Sequence, residues 1–387
     1  MTRRVLITAQ SGAFAGVERR LVQEAQALRA MGVQVCAAPS RFPRSEQFRE
    51  QLVQAGAELV DWQPYKFIER QQPGFPFPQI CAMSVGRIAR LDLALAHVAM
   101  PWTTVGLSRV WALSKARVPV VLGLHCTYDK ARLPGRLRPF IADALKGVAG
   151  AYAVSQSVKD SFLMNFAEWF DADGIQVIHN GVDVHRFAPH VAEAQAWRAS
   201  HGLPLDARLV VFCGRLDPFK DPGFALDIFE TAARSDAQLH LAIAGDGPLA
   251  APLRERVTAS PALAGRVTFL GFIDKVEALL RAGDLYLSTS TPHEGFPLAP
   301  SEALASGLPI LIPEQPVFRE AFGACSAARL VAGRNPADWA GALAEIVREA
   351  SPGTTSDVSK TARAYAMAHL TTEGMTSRLQ SFYRQWV

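Results

Sequence analysis

The sequence predicts an α/β protein of two doubly wound domains, and three observations lead there. A chain of 387 residues exceeds one ordinary core and suits two domains of comparable size. Short apolar runs rich in Val, Ile and Leu alternate with longer amphipathic stretches through both halves, as expected of parallel strands covered by helices on both faces. Between the two series of runs, HNGVDVHRFAP (179–189) carries an Asn-Gly pair and a later Pro, the punctuation of a seam. The domains are expected at 1–190 and 191–370, facing across a cleft.

Taken in order, the strands expected in the first domain are RVLITA, VQVCAA, AELVDW, LDLALAHV, PVVLGLH, GAYAVS and IQVIHN; those in the second are RLVVFCG, LHLAIAG, RVTFLGF, LYLSTS and LPILIP. SPGTTSD (351–357) reads as a loop before two final helices. There is no further internal repeat and no low-complexity tract.

Composition excludes several classes. The chain is 49% hydrophobic and 20% charged, a globular profile. Five scattered cysteines, none in a CxxC pair, indicate neither a disulfide framework nor a zinc ribbon and fit a reducing compartment. The apolar run near the start is only about five residues, too short for a secretory segment. The most apolar window, LDLALAHVAMPW, is interrupted by Asp92, His97 and Pro101 and falls short of the ~20 residues of a spanning helix. A cytoplasmic protein is expected. Residues 1–190 hold 22 Lys+Arg against 15 Asp+Glu, and residues 191–387 hold 18 against 21. The basic first half suggests an anionic surface or substrate there, or simply a solvated basic face.

In open parallel sheets ligands bind beyond the carboxyl ends of strands, where helix N-termini offer unpaired amides. Residues just after strands are therefore the ones to read. After the first strand, SGAFAG runs into a helix, and Gly16 there permits close approach of a phosphate or sugar, or only a tight turn. After the fifth, VVLGLHCTYDK places His125 at a strand exit, where it can bond a substrate or serve the fold. Lys130, Arg132, Arg136 and Arg138 follow it. In the second half, CGRLDPFKDPG sets Arg215 and Lys220 after a strand. Two cations there suit a diphosphate, and the alternative is pairing with Asp217 and Asp221.

LAIAGDGPLA fits GxGxxA, but Pro248 follows the second Gly and no ribose-binding acid ends the next strand, so nicotinamide chemistry is disfavoured. DAD at 171–173 reads as a turn rather than a metal site. HEGFPLAPSE (293–302) leaves a strand and enters a helix near Leu298 that stops at Gly307. Pro297 suits the first turn, and the amides of Leu298 and Ala299 are expected to be open to an anion. Glu294 precedes the helix and Glu302 lies about one turn inside it, so the two carboxylates can accept hydroxyls from different parts of one ligand.

These pieces together resemble the family 4 retaining glycosyltransferases, which have the two-Rossmann GT-B architecture. The matching segments are AGVERRLVQEAQALRAMGVQV, VIHNGVDVHRFAP, CGRLDPFK, IAGDGPL, VTFLGF and EGFPLAPSEALASGLPIL, in family order from residue 5 to about 313. The last carries the family's pair of glutamates with seven residues between them. The resemblance implies that Glu294 contacts the donor sugar, Glu302 the ribose, Arg215 and Lys220 the diphosphate, and His125 the transferred sugar. It implies a phosphate site completed by the amides of Phe296, Leu298 and Ala299, and a base site near Phe272 and Ile273. It also implies a last helix, about 371–387, that packs on the first domain.

The implied enzyme is a retaining hexosyltransferase of polysaccharide or lipopolysaccharide synthesis with no cofactor and no metal. Its donor is expected to be a UDP-sugar, with a GDP-sugar as the alternative, and its acceptor a glycan or lipid-linked glycan; no nucleic acid is expected. Lys130, Arg132, Arg136 and Arg138 would lie on the acceptor side, where an anionic membrane surface would suit them and would place the enzyme peripherally on the inner face of the cytoplasmic membrane. Residues 63–90 match no familiar pattern, and acceptor specificity is expected there. Two other readings share the architecture: a sugar-nucleotide epimerase, which would need no acceptor, and an inactive sugar-nucleotide sensor, which would be free to lose the motif residues.

Overall fold

The computed structural model describes residues 3–10, 12, 16–43, 45–70, 77–102, 104–127, 130, 133–349 and 356–387, without the side chains of 77–81. The chain divides into two compact units, Met1–Asn180 with Glu373–Val387, and Gly181–Thr372. The division falls within HNGVDVHRFAP, earlier than residue 190, and the chain re-enters the first unit at Glu373.

The first unit holds a seven-stranded parallel sheet: β1 (Arg4–Ala9), β2 (Gln34–Pro39), β3 (Glu58–Leu59), β4 (Leu95–Met100), β5 (Val120–Leu124), β6 (Val148–Ala153) and β7 (Ile175–Val177). Their order is β3-β2-β1-β4-β5-β6-β7. Strands β1, β4 and β5 are almost wholly buried, as continuous apolar runs between two helix layers must be. The stretch AELVDW contributes only a two-residue edge strand, paired Cys36↔Glu58 and Ala37↔Leu59. Beyond it the chain turns so that Trp62 is buried and its indole N–H donates to the Ser84 carbonyl at 3.1 Å.

The second unit holds a six-stranded parallel sheet: β8 (Arg208–Cys213), β9 (Leu239–Ala244), β10 (Val267–Gly271), β11 (Leu285–Leu287), β12 (Ile310–Pro313) and β13 (Ala328–Val331), ordered β10-β9-β8-β11-β12-β13. Residues such as Val210, Phe212, Ile228, Phe229, Leu241 and Ile243 form its core. Strand β13 has no counterpart in the sequence reading. It is an edge strand, only partly buried, and its run ARLV carries a charge, so the apolar signal is short. LYLSTS is also a shorter strand than expected: the strand ends at Leu287, the Ser288 amide makes a last bond to the Leu311 carbonyl of β12 at 2.9 Å, and Ser288, Thr289 and Ser290 are all buried. Below the sheet, the buried Arg198 guanidinium donates to the Asp284 carboxylate at 2.7 Å and to the Ala282 and Ala207 carbonyls, each at 2.8 Å.

Candidate functional site

The order of the second sheet reverses between β8 and β11, and such a switch point is where the loops beyond two neighbouring strands part to admit a ligand. The loops that leave there are 214–221 and 288–297. Asp217, 5% exposed, shapes the first: one carboxylate oxygen accepts the amides of Phe219 and Lys220, each at 3.1 Å. Asp221 then takes a left-handed conformation (φ 44°) and caps the helix Pro222–Ala233 by accepting the Phe224 amide at 3.2 Å. The second loop is tied onto the first. The Thr289 hydroxyl lies 2.9 Å from the Lys220 carbonyl and 2.8 Å from that of Asp221, and the Thr291 amide donates to the Phe219 carbonyl at 2.8 Å.

This fastening brings Lys220 and Glu294 together, with Nζ 2.5 Å from Oε2. The sequence alternative of a Lys220–Asp221 pair is not what forms, since Asp221 pairs with Arg334. Arg215 does pair with Asp217, through Nε. Its side chain is 65% exposed, and its two Nη atoms have no partner among the described residues. Tyr286, absent from the sequence reading, backs the carboxylates: its hydroxyl donates to the Cys213 carbonyl at 3.1 Å. Burial first, then the negative fields of Cys213, Glu294 and Glu302, push that phenol well above its ordinary pKa.

The helix after this loop is Leu298–Ala305 and holds Glu302 at 9% exposure. One expectation needs correction here. Pro297 sits ahead of the helix with φ −80° and ψ 81°, an inverse γ-turn in which the Leu298 amide donates to the Phe296 carbonyl at 2.9 Å. The Leu298 amide is therefore engaged, whereas that of Ala299, in the first turn, has no backbone partner among the described residues. Phe296 is buried at 5% exposure, Phe272 stands 72% exposed just beyond β10, and Ile273 beside it is half-buried.

The glycines of LAIAGDGPLA have a packing reason. Gly245 (φ 135°) and Gly247 (φ 158°) lie so close to the 214–216 loop that a Cβ would come 1.8 Å from the Gly214 carbonyl oxygen and 2.5 Å from that of Leu216. The Leu216 amide donates to the Asp246 carbonyl at 2.9 Å, and the Leu249 amide to the Leu216 carbonyl at 3.0 Å. The motif thus supports the loop that carries Arg215. DAD is a turn as read, with Asp171 accepting the Asp173 amide at 3.2 Å.

In the first unit, Gly16 opens the helix Gly16–Ala30. His125 leaves β5 with its amide donating to the Met100 carbonyl at 3.2 Å. Its Nε2 is buried and has no hydrogen-bond partner among the described residues. Burial, then the Arg20 guanidinium, lowers its pKa to about 3, so the imidazole is neutral at physiological pH. The basic run after it is not a uniform patch. Lys130 and Arg136 are exposed, but Arg138 pairs with Glu168 and lies over the Trp169 ring at 5.1 Å. Arg132 lies outside the described residues. Among the described residues no group of three His, Cys, Asp or Glu side chains could hold a metal, and no helix is long and apolar enough to cross a membrane.

Comparison with known proteins adds independent findings. Residues 14–186 match the model of Glycosyltransferase Family 4, and residues 207–349 match that of Glycosyl transferases group 1, together more than half of the chain. EpsF of Bacillus subtilis, named as a glycosyltransferase, is 27% identical over 182 residues, 47% of either chain. The D-inositol 3-phosphate glycosyltransferase of Mycobacterium leprae is 31% identical over 222 residues, 56% of this chain and 50% of that one. The chain spans about half the length of these curated relatives. Among solved structures, HepE of Anabaena in complex with UDP superposes with a TM-score of 0.79 at 20% identity, over 99% of this chain and 100% of that one. HepE is also known in complex with UDP-glucose. The shared fold is GT-B, two parallel sheets with interleaved helices.

Proposed function

The chain belongs to the glycosyltransferases of group 1 and family 4, and from that premise we propose that it moves a hexose from a nucleotide sugar to a hydroxyl of a glycan or glycolipid with retention of configuration. The observation that carries this reading is the Lys220–Glu294 pair at the switch point, with the Arg215 Nη atoms and the Ala299 amide beside it in sequence and loop. Two cations and a helix amide suit a diphosphate, and a glutamate suits paired sugar hydroxyls. Glu302 takes the ribose, and the exposed ring of Phe272 with Ile273 takes the base. Neutral His125 offers the transferred sugar a hydrogen bond without a competing charge. A UDP-sugar is the favoured donor, in line with the UDP and UDP-glucose complexes of HepE.

In the reaction the bond from the anomeric carbon to the diphosphate oxygen breaks as the acceptor oxygen bonds the same face. The acceptor proton passes to the departing diphosphate. Lys220, Arg215 and helix amides hold the developing charge, so no divalent metal is needed.

The test is thermal denaturation with UDP-, GDP- and ADP-sugars in the presence of EDTA. A donor at a hundredfold excess over its Kd stabilises the native state by about 2.7 kcal/mol. One nucleotide class is expected to raise Tm with EDTA present. A protein indifferent to all of them overturns the reading, and a shift seen only with added magnesium or manganese overturns metal independence.

A further inference from the structure

Beneath the first sheet's ligand edge lies a charged cluster with no exposure to solvent. Glu24, on the helix Gly16–Ala30, is wholly buried, yet it faces Arg20 (Nε to Oε1, 3.3 Å), the Nδ1 of His97 on β4, and the Tyr152 hydroxyl on β6. Its second oxygen accepts the hydroxyl of Tyr383 at 3.1 Å. Burial opposes a charge here, but His97, Arg20 and the Tyr152 hydroxyl prevail and hold the Glu24 carboxyl at about 2. An ionised network at this depth is costly unless every partner is in place.

Its geometry is specific. Tyr152 is fixed on every side: its hydroxyl by Glu24, its face by the Arg20 guanidinium 5.0 Å above, one edge by Phe382 at 5.5 Å and 84°. The His97 ring lies against it at 5.9 Å and 40°, and the His125 ring stands edge-on to it at 6.3 Å and 83°. Two glycines make room for the arrangement. A Cβ on Gly123 would lie 2.5 Å from His97 Nε2 and 2.7 Å from the Tyr152 oxygen, and one on Gly150 would lie 2.7 Å from the Trp386 ring. Phe382, Tyr383 and Trp386 all come from the C-terminal segment that rejoins this unit at Glu373.

We infer that Glu24, Tyr152 and Tyr383 are positioning residues for His125, so that seating of the C-terminal helix Thr372–Tyr383 sets the place of the imidazole. The chain is Tyr383 to Glu24, Glu24 to Tyr152, and Tyr152 to the His125 ring. Its bearing on turnover rests on the reading of His125 as a sugar contact. Its structural content does not, and the two can be tested apart.

The experiment removes one hydroxyl, Tyr383→Phe, in the full chain labelled at histidine, with the His125 signal assigned through His125→Asn. A core variant elsewhere in the same unit, Phe166→Leu, controls for general destabilisation. The imidazole resonances of His125 are expected to move in Tyr383→Phe and to stay in place in Phe166→Leu. Unchanged resonances in Tyr383→Phe, or equal shifts in both variants, overturn the inference. UDP release from UDP-glucose is then compared, with kcat expected to fall about tenfold in Tyr383→Phe while KM stays within about twofold. Glu24→Gln is expected to act in the same direction. If the resonances move but turnover is unchanged in both His125→Asn and Tyr383→Phe, the role given to His125 fails while the positioning stands. If the resonances move but His125→Asn alone abolishes turnover, the positioning stands and its bearing on turnover fails.

Discussion

Glu294→Gln is expected to lower turnover by more than tenfold while leaving nucleoside diphosphate affinity nearly unchanged. The side chain keeps its size, so the loop tied down by Thr289 and Thr291 keeps its shape. What is lost is a charged acceptor. A hydrogen bond to a charged group contributes about 1.5 to 3 kcal/mol, and about 1.4 kcal/mol is already tenfold in rate if the contact is made fully only in the transition state. The proposed diphosphate contacts of Lys220 and Arg215 should survive, because the loop that carries them is fixed by Asp217 through the Phe219 and Lys220 amides. Wild-type kcat in the variant would remove Glu294 from the chemistry.

Glu24→Ala is expected to cost about 3 to 5 kcal/mol of stability, the range for stranding the partners of a buried ion pair. The Arg20 Nε, the Tyr152 hydroxyl and the Tyr383 hydroxyl would all lose this acceptor at a site buried from solvent. The same group sets an acid limit. Its folded pKa of about 2 lies below the usual glutamate value, so its stabilising contribution is complete above that usual value and is lost as pH falls towards 2. Denaturant midpoints between pH 5 and pH 2 should fall more steeply for the parent than for Glu24→Gln. Parallel curves would show that Glu24 does not carry this dependence.

The parts of the account legible in the sequence are those fixed by neighbours in the chain. GRLDPFK and HEGFP read as strand-exit loops because the apolar runs before them are continuous, and the topology then sets both at the switch point. The engagement of the Leu298 amide is not legible in the sequence because it depends on the Pro297 backbone angles, and a Pro is compatible with more than one turn. The glycines of LAIAGDGPLA fit the dinucleotide pattern, which the following Pro248 already disfavours, because close backbone approach to Gly214 and to a pyrophosphate demand the same residue. The buried cluster left no signal at all. Arg20 and Glu24 are neighbours on one helix, but His97, Tyr152 and Tyr383 are far from them in sequence, and only the sheet order and the returning C-terminal helix join them.

The proposed seat of a nucleoside diphosphate on the loops beyond β8 and β11 is checked by calorimetric titration of UDP into the parent, Arg215→Ala and Lys220→Ala proteins. Each substitution removes a charge-assisted contact of about 1.5 to 3 kcal/mol, so Kd should rise on the order of ten- to a hundredfold in each variant. UDP that binds both variants as it binds the parent would place the diphosphate elsewhere and contradict the account.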